Sequence, residues 1–510
     1  MKSRSTMVVE IMDTTLRDGE QTSGVSFARQ EKLSIARLLL EDLKIPRIEI
    51  ASARVSTGEY EMAKQLCEWA EKRGHIDKIE ILGFLDKGAS IEWIRSCGAK
   101  VMNLLCKGSE KHCTFQLQKT VQEHVEDIKQ TIKKAKEVGL KINLYLEDWS
   151  NGIQHSPQYV FHLMDALKNE AVERFMLPDT LGILNPLQTL KFCRAMRKRY
   201  PDLRFDFHAH NDYDLATANT FAATLTGIQG VHCTVNAPLT SVVAVLHDHV
   251  KATTGITENM VNKVSRIVES YSGIRVAANK PIIGESVFTQ CAGVHADGDN
   301  KNNLYYNDLL PERFGRKREY ALGKTSGRAN IRKNLESLGI ELDDESIKRV
   351  TQRVVELSDK KEIVTPEDLP YIISDVLKHE TIAQHVKVIN YTLNLSQGLK
   401  PVAIIAIEVN GKTYEGASTG DGQYDAFVKA IRKIYKEQLG RTFPSLTNYT
   451  VNIPPGGHTD ALVQTVISWD YNGNILKTQG LDADQMEAAI QATIKMLNLI
   501  EDKELNIQDN

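Results

Sequence analysis

His208 and His210 stand two residues apart at the end of the run Arg204-Phe205-Asp206-Phe207-His208-Ala209-His210. Alternate residues of a β-strand share a face, so Asp206 and both imidazoles fall on one side and the two phenylalanines on the other. Two imidazoles side by side can reach one cation. A carboxylate from elsewhere would complete a nitrogen–oxygen donor set suited to Mn²⁺, Zn²⁺ or Co²⁺, with Mg²⁺ also possible. The same pair could instead be hydrogen-bonded histidines lining a cavity. A candidate carboxylate is Asp18, in the stretch Asp13-Thr14-Thr15-Leu16-Arg17-Asp18-Gly19-Glu20-Gln21 that follows the apolar run Val8–Met12. Beside it, Arg17 could hold a small carboxylate by a bidentate pair of hydrogen bonds, or simply form a surface ion pair. Thr180 could add a donor, and Glu147 could serve as general base or orient another group.

These residues need elements to position them. Apolar, β-branched runs recur at 8–12, 47–52, 78–84, 100–106, 141–147, 174–180, 203–210 and 230–236. Segments of helical periodicity such as 30–43 and 121–138 lie between them. An interval of roughly 30 residues is the length of a βα unit, and eight of them predict a (β/α)₈ TIM barrel. An open doubly wound sheet is the rival. It usually carries a glycine-rich phosphate turn after its first strand, and here that turn reads Arg17-Asp18-Gly19-Glu20. In a TIM barrel the chemistry sits at the carboxyl ends of the strands. Glu147-Asp148, Asp179-Thr180, His208–His210 and Asn236 all fall at such ends.

Beyond the barrel the pattern changes twice. Residues 257–270, 347–357 and 366–377 read as helices, with a long polar, glycine-bearing stretch from Gly284 to Tyr305 between the first two. That stretch is too long for an ordinary connector and reads as a lid or interface. From Val386 alternating runs at 386–395, 402–409, 450–453 and 461–469 flank helices at 422–439 and 482–499. The expected organisation is a catalytic barrel over 1–270, a mostly helical linker subdomain over 271–385, and an α+β domain over 386–510.

A net charge of -3 offers no electrostatic case for nucleic acid or a membrane surface. Seven loosely spaced cysteines without a CxxC argue against a disulfide framework or a thiolate zinc site. With no apolar signal core at the start and no spanning stretch, the expected compartment is the cytoplasm.

Taken together, Asp13–Gln21, Tyr145-Leu146-Glu147-Asp148, Leu177-Pro178-Asp179-Thr180, His208–Asp212, Gly293-Val294-His295-Ala296-Asp297-Gly298 and Pro454–Ala461 resemble the acyl-CoA-dependent 2-keto-acid condensing enzymes. These are the 2-isopropylmalate, (R)-citramalate and homocitrate synthases. The resemblance covers nearly the whole chain. It implies that acetyl-CoA condenses with a metal-bound 2-keto acid, with Asp18, His208 and His210 as metal ligands. It further implies that Arg17 and Thr180 bind the keto acid's carboxylate, and that Glu147, His295 and Tyr305 are catalytic. A homodimer is implied, with His295 and Tyr305 coming from the other subunit. The tail is similar to the family's regulatory domain, which implies an amino-acid effector, isoleucine or leucine, near Tyr424 and Asp425. One departure stands out. The family's glycine-rich loop GLGERAGN, which supplies an asparagine near the metal, is missing after the eighth strand, where Asn236 runs directly into Ala237-Pro238-Leu239. Asn236 is the available substitute ligand. By resemblance the substrate pocket is lined by Leu82, Leu105 and Tyr145. Bulky residues there favour pyruvate, hence (R)-citramalate synthesis. The alternatives are 2-isopropylmalate synthesis from 2-ketoisovalerate, or an inactive amino-acid-binding homologue.

Overall fold

The computed structural model describes residues 7–235, 238–290, 309–338, 340–359, 364–377, 385–452 and 463–508. The chain separates into two compact units. One runs from Met1 to Phe288 and includes Asn307–Arg318; the other comprises Thr289–Tyr306 and Glu319–Asn510.

The first unit is a closed barrel of eight strands in sequential order. They are β1 (Glu10–Asp13), β2 (Arg47–Ser52), β3 (Ile79–Gly83), β4 (Val101–Lys107), β5 (Lys141–Glu147), β6 (Arg174–Asp179), β7 (Phe205–Ala209) and β8 (Gly230–Cys233). Every neighbouring pair is parallel, and β8 closes on β1 with Asp13 opposite Cys233. The TIM barrel expected from the roughly 30-residue repeat is therefore the fold.

Alternation sorts the side chains as the β7 pattern predicts. Phe205 and Phe207 are buried in the apolar layer between strands and helices, where each contributes roughly 1.5–3 kcal/mol by leaving water. The inward residues form layers two residues apart. The floor is polar, and its charges stand in ion pairs and hydrogen bonds. Arg47 bonds Asp206 at 2.6 Å and Glu80 at 3.0 Å. Asn143 bonds Glu80 at 3.2 Å and Asn103 at 2.8 Å, and Asn103 in turn bonds Glu49 at 2.8 Å. Buried charges are tolerated only with such partners. One layer up, Met12, Leu82, Tyr145 and Met176 pack together, flanked by Phe84 and Leu105.

The second unit has a helical part, with helices Arg328–Leu338, Asp344–Asp359 and Leu369–Leu377 around their own core. Its remainder repeats one motif, three antiparallel strands followed by a helix. Strands β11 (Val386–Asn394), β12 (Val402–Val409) and β13 (Lys412–Thr419) precede the helix Gln423–Lys433. Strands β14 (Ser445–Asn452), β15 (Val463–Tyr471) and β16 (Asn474–Asp482) precede Gln485–Gln508. (β9, Thr289–Gln290, and β10, Glu319–Tyr320, are a short pair.) β13 and β16 are absent from the sequence expectation. Each is entered through an Asn-Gly turn, with φ of 50° and 79° at Asn410 and Gly411 and of 54° and 81° at Asn472 and Gly473. Both residues left-handed is the geometry that suits a two-residue hairpin.

Among the described residues no helix is long and apolar enough to cross a membrane. The six cysteines among them are free and buried.

Candidate active site

The loop after β1 is folded by its own polar groups. Asp13 accepts hydrogen bonds from the Thr15 amide at 2.9 Å and the Thr15 hydroxyl at 3.1 Å. Burial outweighs those bonds and pushes the Asp13 carboxyl up to about 7. The Thr14 carbonyl accepts from the amides of Arg17, Asp18 and Gly19, which curls the chain back over the barrel. Glu20 accepts from the Phe27 amide at 3.0 Å and pairs with buried Lys32 at 2.6 Å. The acidic residues at 13 and 20 therefore hold the loop, and Arg17 and Asp18 are left facing the barrel mouth.

There Asp18 meets His208 of β7 and His210 just beyond it. Its Oδ2 lies 3.4 Å from Nε2 of His208 and 3.9 Å from Nε2 of His210, and one ligand atom from each residue falls within 4.8 Å of the others. Burial disfavours the Asp18 carboxylate. Its polar neighbours His208, Arg17 and His210 overcome this and hold it well below the usual carboxylate range. His210 is shifted down, by burial and then by neighbouring His208. One anionic oxygen and two imidazole nitrogens converging in this way fit a divalent cation of borderline softness.

Arg17 is 9% exposed rather than a surface residue. Its guanidinium bonds Glu49 at 2.6 Å, Asp18 at 2.8 Å and the Tyr145 hydroxyl at 3.4 Å. A substrate carboxylate would have to share donors already engaged. Tyr145 also bonds Nδ1 of His232 at 3.0 Å, and its ring meets His208 edge-on at 6.0 Å. Burial first, then Glu49, pushes its phenol well above the ordinary value, so it stays a donor. Leu82, Leu105 and Tyr145, grouped only by resemblance in the sequence, belong to one apolar cluster.

The other candidates divide. Glu147 ends β5 as expected and forms an ion pair with Lys107 of β4; among the described residues no hydrogen bond or ion pair joins it to Asp18, His208 or His210. The Thr180 hydroxyl accepts from the Asp148 amide at 2.9 Å and keeps its own proton to donate. Asp148 itself has φ +63°, a strained conformation for a non-glycine residue, braced by Ser109 at 2.7 Å and Asn151 at 2.7 Å. Asn236, His295 and Tyr305 lie outside the described residues, as does Ala237. In the second unit Tyr424 bonds Thr493 at 2.8 Å, and Asp425 pairs with Lys429 at 2.6 Å. Both line a cleft with Leu446, Tyr449, Asp484 and Met486.

His232 was missed by the sequence reading. It sits on β8 directly opposite His208 of β7, and the readable signal was a histidine two positions after Gly230 on an inward face. Asp18, His208, His210 and His232 line an open cavity of ≈ 440 Å³. A second, more apolar cavity of ≈ 360 Å³ shares Gly19, Thr22 and Thr234 with it and runs past Val25, Phe27 and Ile274 to Arg275 and Lys280.

Sequence comparison adds to this geometry. The HMGL-like family model matches residues 8–268, the homocitrate synthase post-HMGL domain-like model residues 282–362, and the LeuA allosteric (dimerisation) domain model residues 363–501. A putative (R)-citramalate synthase CimA of Methanopyrus kandleri is 32% identical over 501 residues, 96% of each chain. The (R)-citramalate synthase CimA of Methanocaldococcus jannaschii is 32% identical over 97% of this chain and 100% of its own. The chain belongs to the 2-isopropylmalate, citramalate and homocitrate synthase family. A 2-isopropylmalate synthase of Methanocaldococcus jannaschii is 30% identical over 96% of this chain and 94% of its own, so overall similarity does not separate the members by substrate. As a member of this synthase family the protein is an acyltransferase that condenses acetyl-CoA with a 2-keto acid.

Proposed function

We propose that this synthase condenses acetyl-CoA with pyruvate, forming (R)-citramalate and CoA, a first step toward isoleucine. The observation that carries the choice of keto acid is the way Tyr145 is held. Its hydroxyl is tied to Arg17 and His232 and its ring packs on Leu82, Met12 and Met176. A ring tethered at both ends cannot swing aside for an isopropyl group, and a pocket of this kind rejects added bulk more sharply than the roughly 1–3 kcal/mol per methylene of simple apolar fit.

Asp18, His208 and His210 would hold the divalent cation, with Asn236 as a further candidate. When bound, the ion supplies positive charge beside the keto oxygen as that oxygen becomes anionic. Arg17 orients the pyruvate carboxylate, helped by the Thr180 hydroxyl. Glu147 is assigned as the base that takes a proton from the thioester methyl group, so Lys107 must release it or relay that proton. His295 and Tyr305, from the middle segment of the second subunit of a homodimer, are assigned to complete the catalytic set. The new carbon–carbon bond joins the acetyl methyl carbon to the keto carbon, and water then cleaves the thioester to free CoA. The apolar cavity beside the site suits the pantetheine arm of acetyl-CoA, with Arg275 and Lys280 near its phosphates.

On this reading 1–270 performs the chemistry, 271–385 is the linker subdomain, and 386–510 binds an amino-acid effector. The cleft at Tyr424 and Asp425 fits an amino acid, offering a carboxylate for its ammonium and the Tyr424, Tyr449 and Leu446 side chains for its apolar part. The test is steady-state CoA release with acetyl-CoA and either pyruvate or 2-ketoisovalerate, with and without chelator. Higher kcat/KM on pyruvate, abolished by chelation and restored by a divalent ion, supports the reading. A preference for 2-ketoisovalerate overturns the substrate; full activity in chelator overturns the metal.

A further inference from the structure

We propose that His232 is a positioning residue: anchored by Asp206, it fixes the tautomer of His208 so that the Nε2 lone pair of His208 faces Asp18 and His210. The inference rests on the reading of those three residues as metal ligands.

The chain of contacts has one consistent direction. Asp206 is fully buried, and its Oδ2 takes two hydrogen bonds from Arg47, at 2.8 Å and 2.6 Å. Arg174 approaches its Oδ1 at 3.3 Å. With two guanidinium partners Asp206 is an acceptor only. His232 Nε2, 3.2 Å from Asp206 Oδ2, must therefore carry the proton. In a neutral imidazole the other nitrogen is then an acceptor, and the His232 side chain is 0% exposed, where a second proton is disfavoured by the lost hydration.

His232 Nδ1 lies 3.1 Å from His208 Nδ1. Two lone pairs cannot face each other at that distance, so His208 places its proton on Nδ1. Its Nε2 then points, unprotonated, at Asp18 Oδ2, 3.4 Å away. Two acceptors facing one another are repulsive in the absence of a cation or a further proton, so this tautomer prepares His208 to take an ion. Tyr145 offers a second donor to the same His232 nitrogen at 3.0 Å, which ties the wall of the substrate pocket to the ligand.

The backbone makes room for this arrangement. A Cβ at Gly230 would stand 1.8 Å from Asp206 Oδ1, so any side chain there would displace the carboxylate that sets the direction. Register does the rest, since His208 and His232 are paired residues of adjacent strands. An outer hydrogen bond to a metal-binding imidazole fixes its tautomer and orientation, and losing it weakens metal binding by roughly 10–100-fold.

The test is metal affinity, not turnover. The full-length protein is stripped with chelator and titrated calorimetrically with Zn²⁺, beside His232→Phe, His232→Gln and Tyr145→Phe. Wild type should bind one ion per chain. His232→Phe keeps a ring but no acceptor, and should bind roughly 10–100-fold more weakly. His232→Gln offers both an acceptor and a donor and should restore most of the affinity. Tyr145→Phe removes the competing donor, together with the 3.4 Å acceptor for Arg17, and should leave affinity unchanged or tighter. Binding by His232→Phe as tight as wild type overturns the inference while leaving the ligand assignment intact. If His232→Phe lowers the unfolding temperature of the metal-free protein, His232→Gln decides: near-wild-type affinity supports the role, and affinity as weak as that of the phenylalanine variant overturns it. A wild-type protein that binds no zinc removes the ligand assignment and the inference together.

Discussion

The wall proposed to exclude branched keto acids can be cut back at one point. Leu82 is 5% exposed and packs with Met12, Tyr145 and Met176. Tyr145 is the wrong residue to trim, because its hydroxyl also bonds Arg17 and His232. Leu82→Ala removes three carbons from the wall and leaves the polar contacts alone. 2-Ketoisovalerate carries two more carbons than pyruvate. Seating them in the vacated space recovers about 1.6 kcal/mol, at ~0.8 kcal/mol per buried CH₂. That is roughly a fifteenfold rise in the ratio of kcat/KM for 2-ketoisovalerate over pyruvate. The folding cost should be about 2 kcal/mol, the lower end for a buried leucine, because the site borders a pocket. The assay is CoA release on both keto acids for wild type and variant, with the unfolding temperature recorded alongside. A folded variant whose ratio does not move would refute the placement of the pocket at Leu82.

Asp206→Asn should destabilise the barrel by about 3–5 kcal/mol, because buried Arg47 loses its main countercharge; hydrogen exchange of β2 and β7 measures it, and protection as slow as wild type would contradict the pairing. His124 is buried, accepts the Lys107 amide at 3.1 Å, and is pushed down from 6.5 to about 4 by burial. The unfolded chain then binds the extra proton between those values, so this stability is complete above pH 6.5 and falls away toward pH 4, by at most about 3 kcal/mol. His124→Gln should flatten the drop in unfolding temperature between pH 7 and pH 5, and an unchanged slope would assign the loss elsewhere. Gly473→Ala meets nothing within 4 Å but forces φ +81° on a residue with a side chain; the C-terminal transition should lose about 1 kcal/mol, and no loss would mean the turn is not held left-handed.

The barrel was legible because its signal is local. Runs 47–52 and 141–147 coincide with β2 and β5, and Phe205 and Phe207 face outward as alternation requires. Helix starts drifted where a 3-10 turn intervenes, as at Glu258–Met260 before the helix beginning at Val261. The strands β13 and β16 escaped because their inward positions carry small or polar residues, such as Gly416 and Ser418 in β13 and Thr478 and Gly480 in β16, so an alternation of burial is not an alternation of hydropathy. Their Asn-Gly turns were the better signal and went unused.

The candidate site divides along the same line. Residue type and spacing singled out Asp18, Arg17, His208 and His210, since few other uses require such groups at strand ends. That Asp18 meets the histidines within 4.8 Å, that Arg17 is already tied to Glu49, and that His232 stands between Asp206 and His208 were decided by the tertiary structure. The reason is that these contacts join strands and loops far apart in the chain. Strand register and barrel closure set which inward side chains become neighbours, and no local period in the sequence records that choice.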